Sequence, residues 1–293
     1  MKLMKKLVSV VCSLIAVASA LADTTIKLSG SDIVGPIIEK EIYSLSKSAG
    51  INTQCDLRGT YVALPELLEG KTDVAIIAQP RGRKLPDGLV AFPICYQAAV
   101  VIVNSINSIE EINTVQLYNI YSRNAKTHFE TWANLGISDV GLRNIMAATT
   151  SCYDNIVVEL FKKEALGGTN LGPWVNMVYK KSDLLNLVKT NNSAIAVLGK
   201  VKDEDMIKIL PVSRSGGDKN YAYKPDIESI FNGDYPLTIP FYIVCKKENL
   251  MKAKPLLKIL LDDRIATLLD KSDFYAAPKN SRKKSIFELD IAK

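Results

Sequence analysis

The sequence predicts an α/β protein built as two lobes joined by two crossing strands, and three observations predict it. The first part of the chain alternates strand, helix, strand, helix, strand. A long apolar run from Leu89 to Asn104, interrupted at Pro93, suits a strand that leaves one domain and enters another. The stretch Tyr235 to Val244, with Pro236 and Pro240, mirrors that run and reads as the return crossing.

The opening element is Ile26 to Pro36. Lys27 and Ser29 alternate with Ile26 and Leu28, which is strand period, and Gly30 allows a tight turn. Ser31 or Asp32 can cap the helix that follows, whose apolar stripe is Ile37, Ile38, Ile42, Tyr43 and Leu45. Free N–H groups and the partial positive charge of a helix N-terminus make such a Gly-Ser turn suited to an anion, although ordinary βα turns share the pattern.

Asn52 to Leu57 is the second strand, and Gly59-Thr60 turns it into a helix through Leu64, Leu67 and Leu68 that Gly70 closes. Asp73 to Ile77 is continuous rather than alternating, as a buried parallel strand should be. The loops Gly30 to Asp32, Gly59 to Tyr61 and Ala78 to Pro80 then fall at strand C-terminal ends, where open α/β sheets bind ligands.

Beyond the first crossing, Val115 to Tyr121 is helical, Phe129 to Trp132 leads to a turn at Gly136, and Asn144 to Ala148 is a strand. Thr149-Thr150-Ser151 opens a helix through Ile156, Val157, Leu160 and Phe161. Leu184 to Val188 is helical, and Ala194 to Leu198 and Ile207 to Val212 are strands. After the return crossing, Leu256 to Leu261 and Ile265 to Leu269 are helical and pack back on the first lobe. Lys271, Lys279, Arg282, Lys283 and Lys284 read as a solvated basic surface.

Residues 1–22 have the plan of a signal peptide: Lys2, Lys5 and Lys6, an apolar stretch Leu7 to Val17, and a small-x-small site at Ala20-Leu21-Ala22. Cleavage is expected before Asp23. Cys12 follows Val11 rather than a small residue, which argues against a lipid anchor. Removing the three lysines lowers the formal net charge of +6 to +3, too mild for a nucleic-acid binder. The apolar fraction of 47% is enough for a real core.

Four cysteines remain: Cys55, Cys95, Cys152 and Cys245, with spacings unlike a metal site. The single histidine, His128, lies in a polar stretch, so neither a histidine-ligated metal nor a Ser-His or Cys-His pair is expected. Cys152 at a helix N-terminus has the setting of an activated thiol but lacks a partner base. Cys95 and Cys245 lie on the two crossing strands; if those strands are neighbours, a disulfide between the two would tie the hinge.

Laid out in this order, the chain resembles the phosphate-type periplasmic substrate-binding proteins of ABC transporters over essentially its whole mature length. Gly30-Ser31-Asp32 resembles the family's first anion loop. Gly59-Thr60-Tyr61 and Leu67-Leu68-Glu69-Gly70-Lys71-Thr72-Asp73-Val74-Ala75 resemble its second loop, helix and strand. Val103-Asn104, Gln116-Leu117, Ile120-Tyr121 and Thr131-Trp132 to Leu135-Gly136 are similar to its second-domain entry, and Tyr235-Pro236-Leu237 to its return hinge. The pattern departs from the family at Tyr61, where a Gly is usual, and at Ala78-Gln79, where Ser followed by Asp or Arg is common. In Ala147 to Tyr153 only Ser151 is kept, and the family's Arg has no counterpart.

The resemblance implies a periplasmic binding protein-like fold with a signal peptide over residues 1–22. Lobe 1 would be 23–96 and 239–293, and lobe 2 97–238. It implies an exported monomer, periplasmic or secreted, that clamps a small phosphate-like oxyanion between its lobes for an ABC permease in the inner membrane. No enzymatic activity, cofactor, metal or nucleic acid is implied. The ligand-binding residues it points to are Gly30, Ser31, Asp32, Gly59, Thr60, Thr150 and Ser151, with Arg58, Tyr61, Gln79, Cys152 and Tyr153 as a second group. Arg58 is the candidate substitute for the absent Arg, or else a solvated strand-end side chain. The lost Arg and the inserted tyrosines leave one alternative open, a degenerate binding-protein fold acting as an envelope sensor or interaction protein without transport.

Overall fold

The computed structural model describes residues 25–80, 82–138, 143–151, 156–202, 204–215 and 221–292. The elements are, in order, β1 (Ile26–Gly30), α1 (Gly35–Ser48), β2 (Thr53–Asp56), α2 (Thr60–Leu68), β3 (Val74–Ala78), β4 (Leu89–Ala98), β5 (Val100–Asn104), β6 (Ile112–Asn113), α3 (Thr114–Tyr121) and β7 (Met146–Thr150). There follow α4 (Ile156–Ala165), β8 (Asn176–Val178), α5 (Lys181–Thr190), β9 (Ala194–Leu198), β10 (Ile207–Ile209), β11 (Val212–Ser213), α6 (Ile227–Asn232), β12 (Thr238–Lys246), α7 (Leu250–Leu260), α8 (Asp263–Lys271), β13 (Tyr275–Ala276) and α9 (Lys279–Ile291).

The strands gather into two principal sheets, one per lobe. The first has the order β13-β4-β12-β3-β1-β2 and the second β10-β5-β9-β7-β8. In the first, β1 runs parallel to both β2 and β3, while β12 pairs antiparallel with β3 and β4. In the second, β7 is parallel to β8 and β9. Helices cover both faces of each sheet, and strand alternation shows it. Val74 and Ile76 pack with α1, α7 and α8, whereas Ala75 and Ile77 face Ala63 and Leu67 of α2. In the second sheet Val101, Val103, Ile195 and Val197 face one way, toward α3, α4 and the fully buried Trp132. Val100, Ile102, Ala196 and Leu198 face the other, toward Leu184 and Val188 of α5.

The apolar run from Leu89 is two strands, β4 in the first sheet and β5 in the second, separated at Ala99. That residue is tied to the return segment twice. Its N–H donates to Leu237 O at 2.9 Å, and the buried Tyr235 hydroxyl donates to its carbonyl at 2.8 Å. The two crossings are therefore stitched together at the point where the chain passes between lobes.

Three expectations are corrected. Cys95 and Cys245 do lie on neighbouring strands, but both are free thiols. The register sets Cys95 opposite Phe241 and Cys245 opposite Val90. They stand about five residues apart along the ladder, roughly 16 Å at strand rise, which no disulfide spans. The stretch Ile207 to Val212 is not one strand. It splits into β10, paired with β5, and β11, paired with β6 in a separate two-stranded sheet. The basic C-terminal stretch is the helix α9, and Arg282 within it is buried. Arg282 Nε donates to Ala277 O at 3.0 Å and Nη1 to Leu261 O at 2.9 Å, while Nη1 pairs with Asp263 Oδ1 at 2.8 Å. Charge-assisted bonds to α8 and its preceding turn offset the burial of that cation.

Candidate functional site

Three loops leave the C-terminal ends of β1, β2 and β3, and main-chain hydrogen bonds join them into one edge. Ser31 N donates to Ile76 O at 2.8 Å, Gly59 N to Gly30 O at 2.7 Å, and Ala78 N to Thr60 Oγ1 at 2.9 Å. Gln79 N donates to Pro240 O at 3.0 Å, which ties the third loop to the return crossing. Parallel pairing of β1 with both neighbours brings the loops to one end, and two glycines let them close. A Cβ on Gly30 would stand 2.8 Å from the backbone N and O of Ile76, so no larger residue fits. Gly59 has φ 117° and ψ 162°, a region open to glycine alone.

Neither Ser31 nor Asp32 is the N-cap of α1, which is Val34; Ser31 closes the turn that leads into it. Its Oγ accepts from Ile33 N and Val34 N, both at 3.2 Å, while Gly35 N donates to its carbonyl at 2.9 Å. Asp32 is exposed, and its Oδ1 lies 3.6 Å from where a Cβ on Gly59 would be. The carboxylate thus sits over the junction of the first two loops.

Arg58 is engaged elsewhere. Its guanidinium pairs with Asp56 at 2.6 Å and Glu66 at 2.8 Å with the side chain 59% exposed. The Arg58 guanidinium holds the Asp56 carboxyl below the usual carboxylate range. Glu66 also accepts from the buried Ser29 hydroxyl at 2.7 Å. This Asp56–Arg58–Glu66–Ser29 chain braces the loop on which Gly59 and Thr60 sit. Sequence reasoning missed Glu66 and Ser29. The eight-residue separation of Arg58 and Glu66 is no local pairing signal, and Ser29 reads as an ordinary strand residue. Asp73, part of the recognised strand motif, has a structural task. It accepts from Lys27 N at 2.9 Å and Lys252 Nζ at 2.7 Å, joining β1 to α7.

Of the second group, Tyr61 is 94% exposed on the first turn of α2. The Gln79 side chain donates to Arg83 O at 3.0 Å. In the second lobe, buried Thr150 ends β7, and Ser151 N donates to Val178 O at 2.9 Å. Thr149 is used by the sheet, its hydroxyl donating to Val197 O at 2.9 Å. Cys152 and Tyr153 lie outside the described residues. Of the remaining thiols, burial pushes Cys55 and Cys245 up to about 11 and Cys95 well above its ordinary value, so all three are protonated and unreactive near neutrality. Among the described residues no group of three or more His, Cys, Asp or Glu side chains is placed to hold a metal ion, and no helix is long and apolar enough to cross a membrane.

A family model described as a PBP superfamily domain matches residues 16–262. Protein SphX of Synechococcus elongatus is 25% identical over 241 residues, covering 76% of this chain and 68% of its own. A phosphate-binding protein PstS of Staphylococcus epidermidis is 23% identical over 275 residues, covering 89% of this chain and 81% of its own. The crystal structure of a possible phosphate binding protein from Planctomyces limnophilus superposes with TM-score 0.71 at 18% identity, over 92% of this chain and 98% of that one.

Proposed function

The chain belongs to the PBP superfamily, and on that premise we propose that it is an exported receptor that captures phosphate between its lobes and hands it to an ABC permease. The observation that carries this reading is the fused edge of three loops, which brings Gly30, Ser31, Gly59 and Thr60 together at the ends of parallel strands. Relatives named as phosphate-binding proteins support the choice of anion. Lobe 1 comprises residues 23–96 and 239–293 and lobe 2 residues 97–238, with residues 1–22 removed on export to the periplasm or the medium. The protein works as a monomer and performs no chemistry on its ligand.

In this mechanism the hydroxyls of Ser31, Thr60, Thr150 and Ser151 donate to the phosphate oxygens. The Ser31 oxygen is already an acceptor for two N–H groups, which leaves its proton for the ligand. Asp32 accepts the proton that phosphate carries at neutral pH and sulfate does not. Arg58 serves the loop, not the ligand, so neutral donors and helix N-termini provide the attraction. Tyr61 and Gln79 border the site. Ligand selects the closed arrangement of lobes from the open one.

The test is calorimetric titration of phosphate and sulfate into the protein beginning at Asp23 and into its Ser31→Ala and Asp32→Asn variants. Ser31→Ala should weaken phosphate by roughly tenfold or more, the loss of a bond to a charged group. Asp32→Asn should narrow the preference for phosphate over sulfate. Equal affinities in all three proteins would refute the assignment.

A further inference from the structure

Lys200 follows β9 at the end of the second sheet, yet its ammonium is bonded to the first lobe. Nζ donates to Asp270 Oδ1 at 3.0 Å, Asp270 O at 3.3 Å and Phe274 O at 2.8 Å, and it lies 4.7 Å from the Tyr275 ring centroid. An ammonium has three protons, so these three acceptors account for all of them. Asp270 is itself fixed, since its Oδ1 also accepts from Ala276 N at 3.1 Å. Lys181, the first residue of α5, makes a second crossing. It pairs with both carboxylate oxygens of Asp273, at 2.9 and 3.0 Å, and donates to Lys200 O.

The contact is not packed solid. A cavity of about 510 Å³ lies among Lys181, Lys200, Lys202, Glu204, Asp270 and Asp273. Beside it, Gly199 approaches Gln97 of β4, whose Nε2 is 3.9 Å from the position of a Cβ there. Gln97 is 5% exposed, and its Oε1 is the buried side-chain oxygen or nitrogen among the described residues that has no hydrogen-bond partner. The junction is thus held by the charged arms of Lys181 and Lys200 beside this pocket.

We propose that Lys200 is a positioning residue for ligand capture: its bonds across the junction hold the lobes at the angle that sets the first-lobe loops against the end of β7. This rests on the two-lobe capture reading. With Lys200 removed, the ligand alone would have to hold the angle, so the complex forms but releases faster.

The test combines an interlobe distance with phosphate kinetics. Spin labels are placed on exposed Lys40 and Asn186 through an unnatural ketone residue, which leaves the native thiols untouched. Wild type is compared with Lys200→Ala, Lys200→Arg and Asp270→Asn, the last keeping the acceptor for Ala276 N. Expected are a broader ligand-free distance distribution in Lys200→Ala and Asp270→Asn, and recovery in Lys200→Arg. The phosphate Kd should rise by about fivefold in the first two, carried by the off-rate. If Lys200→Ala fails to fold, Asp270→Asn decides. Distributions identical to wild type in the variants overturn the proposal. Changed distributions in a protein that binds no phosphate would instead uphold the junction and overturn the capture reading.

Discussion

Replacing Gly30 by alanine tests the loop architecture with a single methyl group. The added carbon would stand 2.8 Å from three atoms of Ile76: Cβ, N and O. Two of those are backbone, held by the pairing of β1 with β3 in the centre of the first sheet, so no side-chain rotation relieves the clash. The strands must part by about half an ångström to reach ordinary contact, and overpacking of this kind costs about 1–3 kcal/mol. For a chain of this size about 2 kcal/mol corresponds to a fall in Tm of about 4–8 °C. The same displacement stretches the bond from Ser31 N to Ile76 O and moves the Ser31 hydroxyl, so phosphate affinity should fall with stability. Differential scanning calorimetry with and without phosphate measures both effects. A Gly30→Ala protein with wild-type Tm and wild-type phosphate affinity would refute the reasoning, because the close approach would then carry no cost.

The remaining predictions concern charge and thiols. Arg58→Ala should change the phosphate Kd by less than about threefold, because its guanidinium is committed to Asp56 and Glu66 in a solvent-screened setting; titration calorimetry reads it. A reducing agent should leave Tm unchanged, since Cys95 and Cys245 are free, whereas loss of a disulfide would remove about 2–4 kcal/mol. Stability should fall as pH rises from about 9 to 11. The folded Cys245 thiol is pushed up to about 11, the unfolded chain releases that proton near 9.0, and the unfolded state therefore binds fewer protons in this window. The loss approaches about 2.7 kcal/mol for that thiol, read as the urea midpoint against pH and reduced in Cys245→Ala relative to the parent.

Much of the fold was legible because each signal was local. The continuous apolar stretch Asp73 to Ile77 announced a buried strand with parallel pairing, which it has with β1, and the paired runs around Pro93 and Pro240 announced the crossings. What the sequence did not disclose depends on register and on distant partners. The relative shift of β4 and β12, including an irregularity between Phe241 and Tyr242, decides that Cys95 and Cys245 cannot meet, and no residue type encodes it. Arg282 looked like surface because arginine usually is, until α9 folded back and set it against Leu261 O and Ala277 O. Gly30, Ser31, Gly59 and Thr60 were readable as turn residues at strand ends, which is where the fold has them. Their bracing by Glu66 and Ser29 was not, because a pairing eight residues apart forms only when the βα turn is built.

The most direct measurement is a thermal shift of the wild-type protein beginning at Asp23, with phosphate at about 100 times its Kd and sulfate as the control. The account predicts about 2.7 kcal/mol of added stability with phosphate, a rise in Tm of about 5–10 °C, and a far smaller rise with sulfate. An unchanged Tm with phosphate at millimolar concentration would contradict it.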